Sequence, residues 1–314
     1  MKLLVTGCAG FIGANFTEYW LDEHAEDTII GVDCLTYAAN LPALANLKKR
    51  DRFHFYKANI CDFAAMEQIF QDEAPDVVVN FAAESHVDRS IENAGIFVQT
   101  NVLGTQTLLE LCLRYGVKRF HQISTDEVYG DLPLDTEETF TESSSLKPSS
   151  PYSASKAAAD LLVLSYHRTH GLSVSISRSA NNYGKYQHAE KLMPKAIEYA
   201  LNDRKIPIYG DGLNVRDWLH VGDHCRAVDA IIRNAPSGGV YNVGGATLLS
   251  NIVLVREILK QLGKAEGFME FVADRKGHDR KYALCCDKIT EELGWRPQVD
   301  FVEGLRETIA WYKK

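Results

Sequence analysis

Short apolar runs and amphipathic stretches alternate along the first 180 positions of the chain. Residues 2–6, Lys-Leu-Leu-Val-Thr, predict a buried strand, residues 14–23 have helical spacing, and residues 28–32 return to strand character. Residues 53–58 predict a further strand. Residues 76–83 carry Val77, Val78 and Val79 in succession, the pattern of a strand buried on both faces of a parallel sheet. Helical spacing then runs from 97 to 114, and another apolar run ends at Ile123. A Ser/Ala/Leu-rich stretch follows Ser150-Pro151 and stops at His170-Gly171, which reads as a helix with Pro in its first turn and Gly after its last. Residues 173–178 close the series as a strand. Strand alternating with helix predicts an α/β fold, a doubly wound parallel sheet of the Rossmann kind. Beyond residue 179 the segments become shorter and more polar. The expected division is therefore 1–179 for the sheet domain and 180–314 for a smaller one, with segments near 211–245 returning to the first sheet.

Between the first strand and the first helix lies Gly7-Cys-Ala-Gly10-Phe11-Ile12-Gly13. A backbone without Cβ atoms lets a pyrophosphate approach, and its charge sits well on the free amides at a helix N-terminus. Asp33 ends the second strand, twenty positions after Gly13. A carboxylate there accepts hydrogen bonds from ribose hydroxyls and repels a 2′-phosphate. With no Arg in Cys34-Leu35-Thr36-Tyr37, NAD is favoured over NADP.

The densest chemistry is Thr125-Asp126-Glu127, just past the strand ending at Ile123, followed by Tyr152 and Lys156 on the predicted helix. Four apart, Tyr152 and Lys156 share a helix face. A cationic Lys beside a phenol favours the phenolate, so Tyr152 is expected to titrate below the usual value of about 10 and to act as a base. Two adjacent carboxyls in a dry site cannot both ionise freely, and one protonated beside one charged supplies an acid and a base together.

At 314 residues and 46% hydrophobic content the chain can bury a large core in about two domains. A net charge of −8 argues against nucleic acid or an anionic membrane as partner, so an anionic ligand needs local Lys and Arg. Candidates are Arg216 and the cluster Arg275, Lys276, His278, Arg280 and Lys281. The start of the chain is broken by Gly too soon for a signal peptide, which leads to the expectation of a cytoplasmic protein. Its seven cysteines form no C-x-x-C and are expected to be reduced. His220 and His224, like His167 and His170, have near-ligand spacing but lack a convincing third donor, so no metal is expected.

Tyr152-x-x-x-Lys156 resembles the centre of the short-chain dehydrogenase/reductases. The segments Thr125 to Gly130 and Ala82 to Ser90 are similar to signatures of the nucleotide-sugar 4,6-dehydratases of its extended branch, and the likeness runs through Leu293-Gly294-Trp295-Arg296-Pro297 to the closing helix. It implies a catalytic NAD, a nucleotide-sugar substrate and a homodimer. It further implies cofactor contacts from the glycine turn, from Asp33 to Thr36 and from Asn59 and Ile60 at the adenine end. Phe81, Ala82, Ala83, Ser85, Thr100 and Asn182 belong to the same implied set, with Tyr152 and Lys156 at the nicotinamide.

For the substrate it implies Ser85, His86, Thr125, Asn181, Glu190 and Lys191, and towards the nucleotide Leu192, Pro207, Tyr209, Arg216, Asn251, Arg275 and His278. In the implied reaction Tyr152 takes the C4 hydroxyl proton as hydride passes to NAD. Glu127 then removes the C5 hydrogen, Asp126 protonates the leaving C6 hydroxyl, and the hydride returns to C6. A nucleotide-sugar 4-epimerase or decarboxylase has no use for the acid pair, and a non-catalytic NAD sensor would commonly lack the Tyr or the Lys. The chain departs from the pattern at Asn59, Ala180, Lys185, His188-Ala189, Lys276 and Cys285-Cys286, which leaves open thymine against uracil and the substituent at C2.

Overall fold

A computed structural model describes residues 1–275 and 277–314, so Lys276 lies outside the described residues. The strands are β1 (Lys2–Thr6), β2 (Thr28–Asp33), β3 (Phe53–Lys57), β4 (Val77–Asn80), β5 (Arg119–Thr125), β6 (Val174–Ser179), β7 (Asn181–Tyr183), β8 (Ile206–Tyr209), β9 (Val215–His220), β10 (Gly239–Val243), β11 (Leu248–Ser250) and β12 (Met269–Val272). Seven of them form one parallel sheet in the order β10-β6-β5-β4-β1-β2-β3. This is the doubly wound α/β arrangement that the alternation predicts.

The two-residue period of a strand sends alternate side chains to opposite faces, and β1 is buried on both. Leu3 and Val5 pack on one face against Phe16 and Trp20 of the Phe11–Glu23 helix and Val228 of the Val221–Asn234 helix. Leu4 and Ile30 pack on the other against Phe70, Leu108 and Val163. Helices thus change face between β1 and β4, where the strand order reverses. In such sheets that reversal opens a crevice at the carboxyl ends of the strands.

The remaining strands form a three-stranded sheet, β11-β9-β7, and a parallel pair, β12-β8. They surround a separate core built on Met193, Ile197, Leu254, Ile258, Leu305 and Ile309. From the stretch 211–245, β10 joins the large sheet beside β6, whereas β9 stays in the small one.

Three elements differ from the sequence expectation, the strand expected over 76–83 being confined to Val77–Asn80. The helix expected over 97–114 is helical at Ala94–Phe97 and Gly104–Arg114, but Val98–Leu103 between them is a π turn. The extra residue lets the buried Asn101 side chain turn inward, bonding the backbone N–H and C=O of Glu84 at 2.9 and 3.0 Å and Ser155 Oγ at 2.8 Å. The first helix starts at Phe11, not 14. The Pro151–His170 helix matches its signals: Ser150 and Ser153 form a reciprocal capping box, Pro151 is its first residue, and Gly171 closes it at φ 70°.

Candidate active site

The glycine turn sits at the head of the crevice. Gly7 has φ 66°, and a Cβ there would stand 2.7 Å from the amide nitrogen of Ala82; one on Gly13 would stand 2.2 Å from the Gly7 carbonyl oxygen. A side chain at either position would collide with neighbouring backbone and break the turn. Asp33 closes the far end, its two carboxylate oxygens accepting from Leu35 N at 2.7 Å and Ala9 N at 3.0 Å. Burial pushes this carboxyl up, and the two backbone donors oppose that. Asp33, Cys34, Thr36, Asn59, Ile60 and Thr100 line this end, with Gly7, Gly10, Phe81, Ala82 and Ala83. Leu35 is the exception: its side chain packs on the core beneath, and its backbone, at φ 59°, serves the Asp33 carboxylate. A turn that excludes side chains and a carboxylate lining the far end of the same hollow together fit a dinucleotide.

The hollow continues past Phe11, Ile12 and Gly13 to Ser85, Thr125, Asp126, Glu127, Tyr152 and Lys156, with Asn182 on its wall. Asn182 does not offer its amide to the hollow: Nδ2 donates to the Ala180 carbonyl at 3.0 Å, and Oδ1 meets Nδ1 of His224 at 2.9 Å. His224 is thereby a structural histidine. Burial holds its pKa down at about 3, and no group of three possible metal ligands occurs among the described residues.

β5 delivers Thr125 at its end, and the next turn carries Asp126 and Glu127. Thr125 Oγ1 accepts from Glu127 N at 3.2 Å and donates to Asp126 Oδ1 at 3.2 Å, while Asp126 Oδ2 is buried with no protein partner among the described residues. Burial, then the adjacent Glu127 charge, pushes Asp126 well above the usual carboxylate range. Burial also raises Glu127, but Lys191, Arg216 and Arg275 oppose it. The proton therefore favours Asp126 and the charge favours Glu127, the division an acid and base pair requires.

Tyr152 and Lys156 project from the first turns of the Pro151–His170 helix. The expectation of a depressed phenol is corrected here: burial, then Glu127, pushes Tyr152 up, with only the Thr125 hydroxyl opposing. Lys156 Nζ donates to the Ile123 carbonyl at 2.5 Å and is not among the groups that lower the phenol. Burial holds Lys156 down at about 8, with Asp160 working against the fall. Asp160 is itself paired with Arg178 at 2.9 Å, and Arg178 donates to the Tyr129 hydroxyl at 2.9 Å.

A second hollow of about 250 Å³ adjoins the first. Ser85, Glu127, Asn181, Gln187, Glu190 and Lys191 line both and so mark their junction. His86, Leu192, Pro207, Tyr209 and Asn251 lie further out, with Arg216, Arg275 and His278. Lys191 is tied to the Ser85 carbonyl at 2.9 Å, Arg216 to that of Asp279 at 2.8 Å, and His278 Nδ1 to Asp274 at 2.6 Å. The basic cluster is split. Arg275 and His278 face the hollow, but Arg280 is forked onto Asp211 at 2.9 and 2.8 Å, and Lys281 reaches the Thr136 carbonyl at 2.5 Å. Sequence reasoning missed Gln187, Trp218 and Tyr282 on the walls, which carry no charge signal and are brought in only by tertiary packing.

A Rossmann sheet whose crevice joins a dinucleotide cradle to a Tyr/Lys pair, an acid pair and a cationic hollow defines an extended short-chain dehydrogenase/reductase. The family model described as GDP-mannose 4,6 dehydratase matches residues 4–308, and the chain belongs to that family. It is 49% identical to the dTDP-glucose 4,6-dehydratase of Haemophilus influenzae, over 99% of this chain and 98% of that one. It is 48% identical to that of Streptomyces griseus, over 99% and 94%. The crystal structure of DesIV, the dTDP-glucose 4,6-dehydratase of Streptomyces venezuelae solved with NAD bound, superposes with a TM-score of 0.95 at 46% identity, covering 100% of this chain and 97% of that one.

Proposed function

We propose that the chain converts dTDP-glucose to dTDP-4-keto-6-deoxyglucose, with the hexose seated at the junction of the two hollows. The observation that carries this is the acid pair of buried Asp126 and half-buried Glu127, lining one hollow with Tyr152 and Lys156. Full-length relatives of that name at 45–49% identity support the nucleotide and the sugar.

NAD, held by the glycine turn and Asp33, supplies a hydride acceptor that is a donor again at the end of the cycle, and its ring brings positive charge. Tyr152 takes the C4 hydroxyl proton, with Thr125 hydrogen-bonding the same region. Lys156 is pinned at Ile123 and contributes its charge from there. Once C4 is a ketone the C5 hydrogen is acidic; Glu127 removes it, and Asp126 protonates the C6 hydroxyl as it leaves as water. Hydride returned to C6 and a proton returned to C5 then complete the 4-keto-6-deoxy product. Lys191, Arg216 and Arg275 hold the diphosphate, for which the guanidinium fork is well shaped. An epimerase would need none of the acid pair.

Ile96, Val98, Leu103 and Leu161, exposed on the 94–114 and Pro151–His170 helices, support a homodimer face. A nucleotide-linked substrate and unpaired cysteines support a cytoplasmic location. The test is to supply dTDP-glucose, UDP-glucose and UDP-N-acetylglucosamine separately and read the alkaline absorbance of a 4-keto-6-deoxy product. The dTDP sugar should turn over best, and the reading is wrong if none gives that product.

A further inference from the structure

Asp160 is a buried carboxylate on the Pro151–His170 helix to which the proposed reaction gives no part. It stands four residues after Lys156, one turn on along the same helix face. Its Oδ2 accepts from Arg178 Nε at 2.9 Å, and the Asp160 and Arg178 side chains are 0% and 4% exposed. Arg178 is on β6, in register with Ser124, the residue before Thr125 on β5. A buried ion pair gains little net stability over apolar packing of the same volume, so stability alone does not account for this one.

The strongest form of such a pair forks both arms of the guanidinium onto one carboxylate. Arg178 divides them instead: Nε goes to Asp160, while Nη1 donates to the Tyr129 hydroxyl at 2.9 Å. That hydroxyl donates in turn to Asn242 Oδ1 on β10 at 2.7 Å. Tyr129 ends the turn that carries Asp126 and Glu127, and its ring stacks on Phe140 with centroids 5.0 Å apart. Each of the three donors has one acceptor, so the direction of the chain is fixed. It joins the helix bearing Tyr152 and Lys156 to the turn bearing the acid pair, and none of its four members lines either hollow.

Charge acts between the same groups. Burial holds Lys156 down, and the Asp160 carboxylate works against that fall. Burial, then Glu127, raises the Tyr152 phenol, and Asp126 and Asp160 add to the rise. Tyr152 on the same helix and Asp126 and Glu127 on the turn line the hollow with Lys156, while Arg178 stands behind Asp160.

We infer that Asp160 is a positioning residue for both halves of the reaction: through its helix it acts on Tyr152 and Lys156, and through Arg178 and Tyr129 it holds the turn that carries Asp126 and Glu127. This rests on the reading of those four as the reacting groups.

Two assays separate the halves. A 6-deoxy analogue of dTDP-glucose has no C6 hydroxyl to lose, so bound NADH appearing on mixing reports C4 oxidation alone; product from dTDP-glucose reports the full cycle. Asp160→Asn takes the carboxylate charge away from Tyr152 and Lys156, so the pH profile of the oxidation rate should move to lower pH by about one pH unit. Tyr129→Phe keeps the ring and cuts both hydroxyl bonds. Its oxidation rate and pH profile should stay as in the wild type, while kcat on dTDP-glucose falls roughly ten-fold and NADH builds up on the enzyme. A lower thermal midpoint with an unmoved pH profile in Asp160→Asn would mean a structural role and overturn the inference. Equal loss in both assays, or loss in neither, for Tyr129→Phe would overturn it too. If Asp160→Asn does not fold, Tyr129→Phe alone decides. A wild-type enzyme that forms no NADH on the analogue and no product from dTDP-glucose would instead refute the underlying reading.

Discussion

Lys156 donates from the Pro151–His170 helix to the carbonyl of Ile123 on β5 at 2.5 Å, and so ties the two segments that carry the reacting groups to each other. The bond occupies one of the ammonium's three N–H donors and fixes where its charge sits. Replacement by Met removes both the bond and the charge. Lys156→Met should lower kcat by a factor on the order of 10² to 10⁴, the range for a lost acid-base assistant. It should also leave the Ile123 oxygen unpaired, lowering stability by about 1–3 kcal/mol. Steady-state rates and urea unfolding read the two losses separately.

Burial and the Glu127 charge push Asp126 well up, while at Glu127 three cations oppose the rise that burial causes. Neither group touches the first oxidation in the proposed scheme. Asp126→Asn and Glu127→Gln should therefore oxidise C4 and stall before water leaves, so that reduced cofactor accumulates on the enzyme in rapid mixing. Tyr152→Phe should give no reduction at all. A Glu127→Gln enzyme that turned over normally would remove that side chain from the scheme.

Arg275 and Arg280 are five positions apart and indistinguishable by composition, but the structure separates them. Arg275 lines the outer hollow, while Arg280 is half-exposed and forked onto Asp211. Arg275→Ala should raise KM roughly 10- to 100-fold, the worth of a charged hydrogen bond to phosphate. Arg280→Ala should leave KM unchanged and cost at most about 1 kcal/mol, as an exposed ion pair does. Comparing the two KM values decides the point.

His121 is buried in β5 between Ser175 Oγ at 2.9 Å and Ser177 Oγ at 3.1 Å, and burial holds it down at about 3, as it does His224. The unfolded chain takes up a proton on each ring near the usual value of about 6.5, so between those limits the unfolded state binds more protons. Stability thus falls as pH drops below about 6.5 and keeps falling towards 3. At pH 4.5 the two rings together should cost on the order of 5 kcal/mol. His121→Gln should flatten the dependence of the urea midpoint on pH in that window, and an unchanged slope would contradict the buried neutral state.

What could be read in the sequence was what lies close together in it. The glycine turn, the Thr125-Asp126-Glu127 run, the spacing of Tyr152 and Lys156 and the caps of their helix are local signals, fixed by backbone geometry over a few residues. The fold class was legible for the same reason, since strand and helix periods are local. Gln187, the Arg178–Asp160 pair, the fate of Arg280 and the π turn at Asn101 depend on partners brought together from distant parts of the chain, and no local pattern encodes them. The Tyr152 expectation failed on the same ground: spacing placed Lys156 on the right face, but the burial and the Glu127 charge that raise the phenol are products of the fold.

Asp33 tests the cofactor reading independently of the chemistry. Its carboxylate organises the loop, accepting from Ala9 N and Leu35 N, and as a partly buried charge it repels a 2′-phosphate. Asp33→Asn keeps an acceptor for one of those two donors, sets its NH₂ against the other, and removes the charge. The variant should stay folded, bind NAD several-fold more weakly through loss of a charged acceptor for the ribose, and bind NADP more tightly. The ratio of the two Kd values, measured by calorimetry, should shift towards NADP by at least about ten-fold. If NAD and NADP lost affinity equally, Asp33 would be a loop-holding residue only, and the preference for NAD would have to arise elsewhere in the adenine hollow.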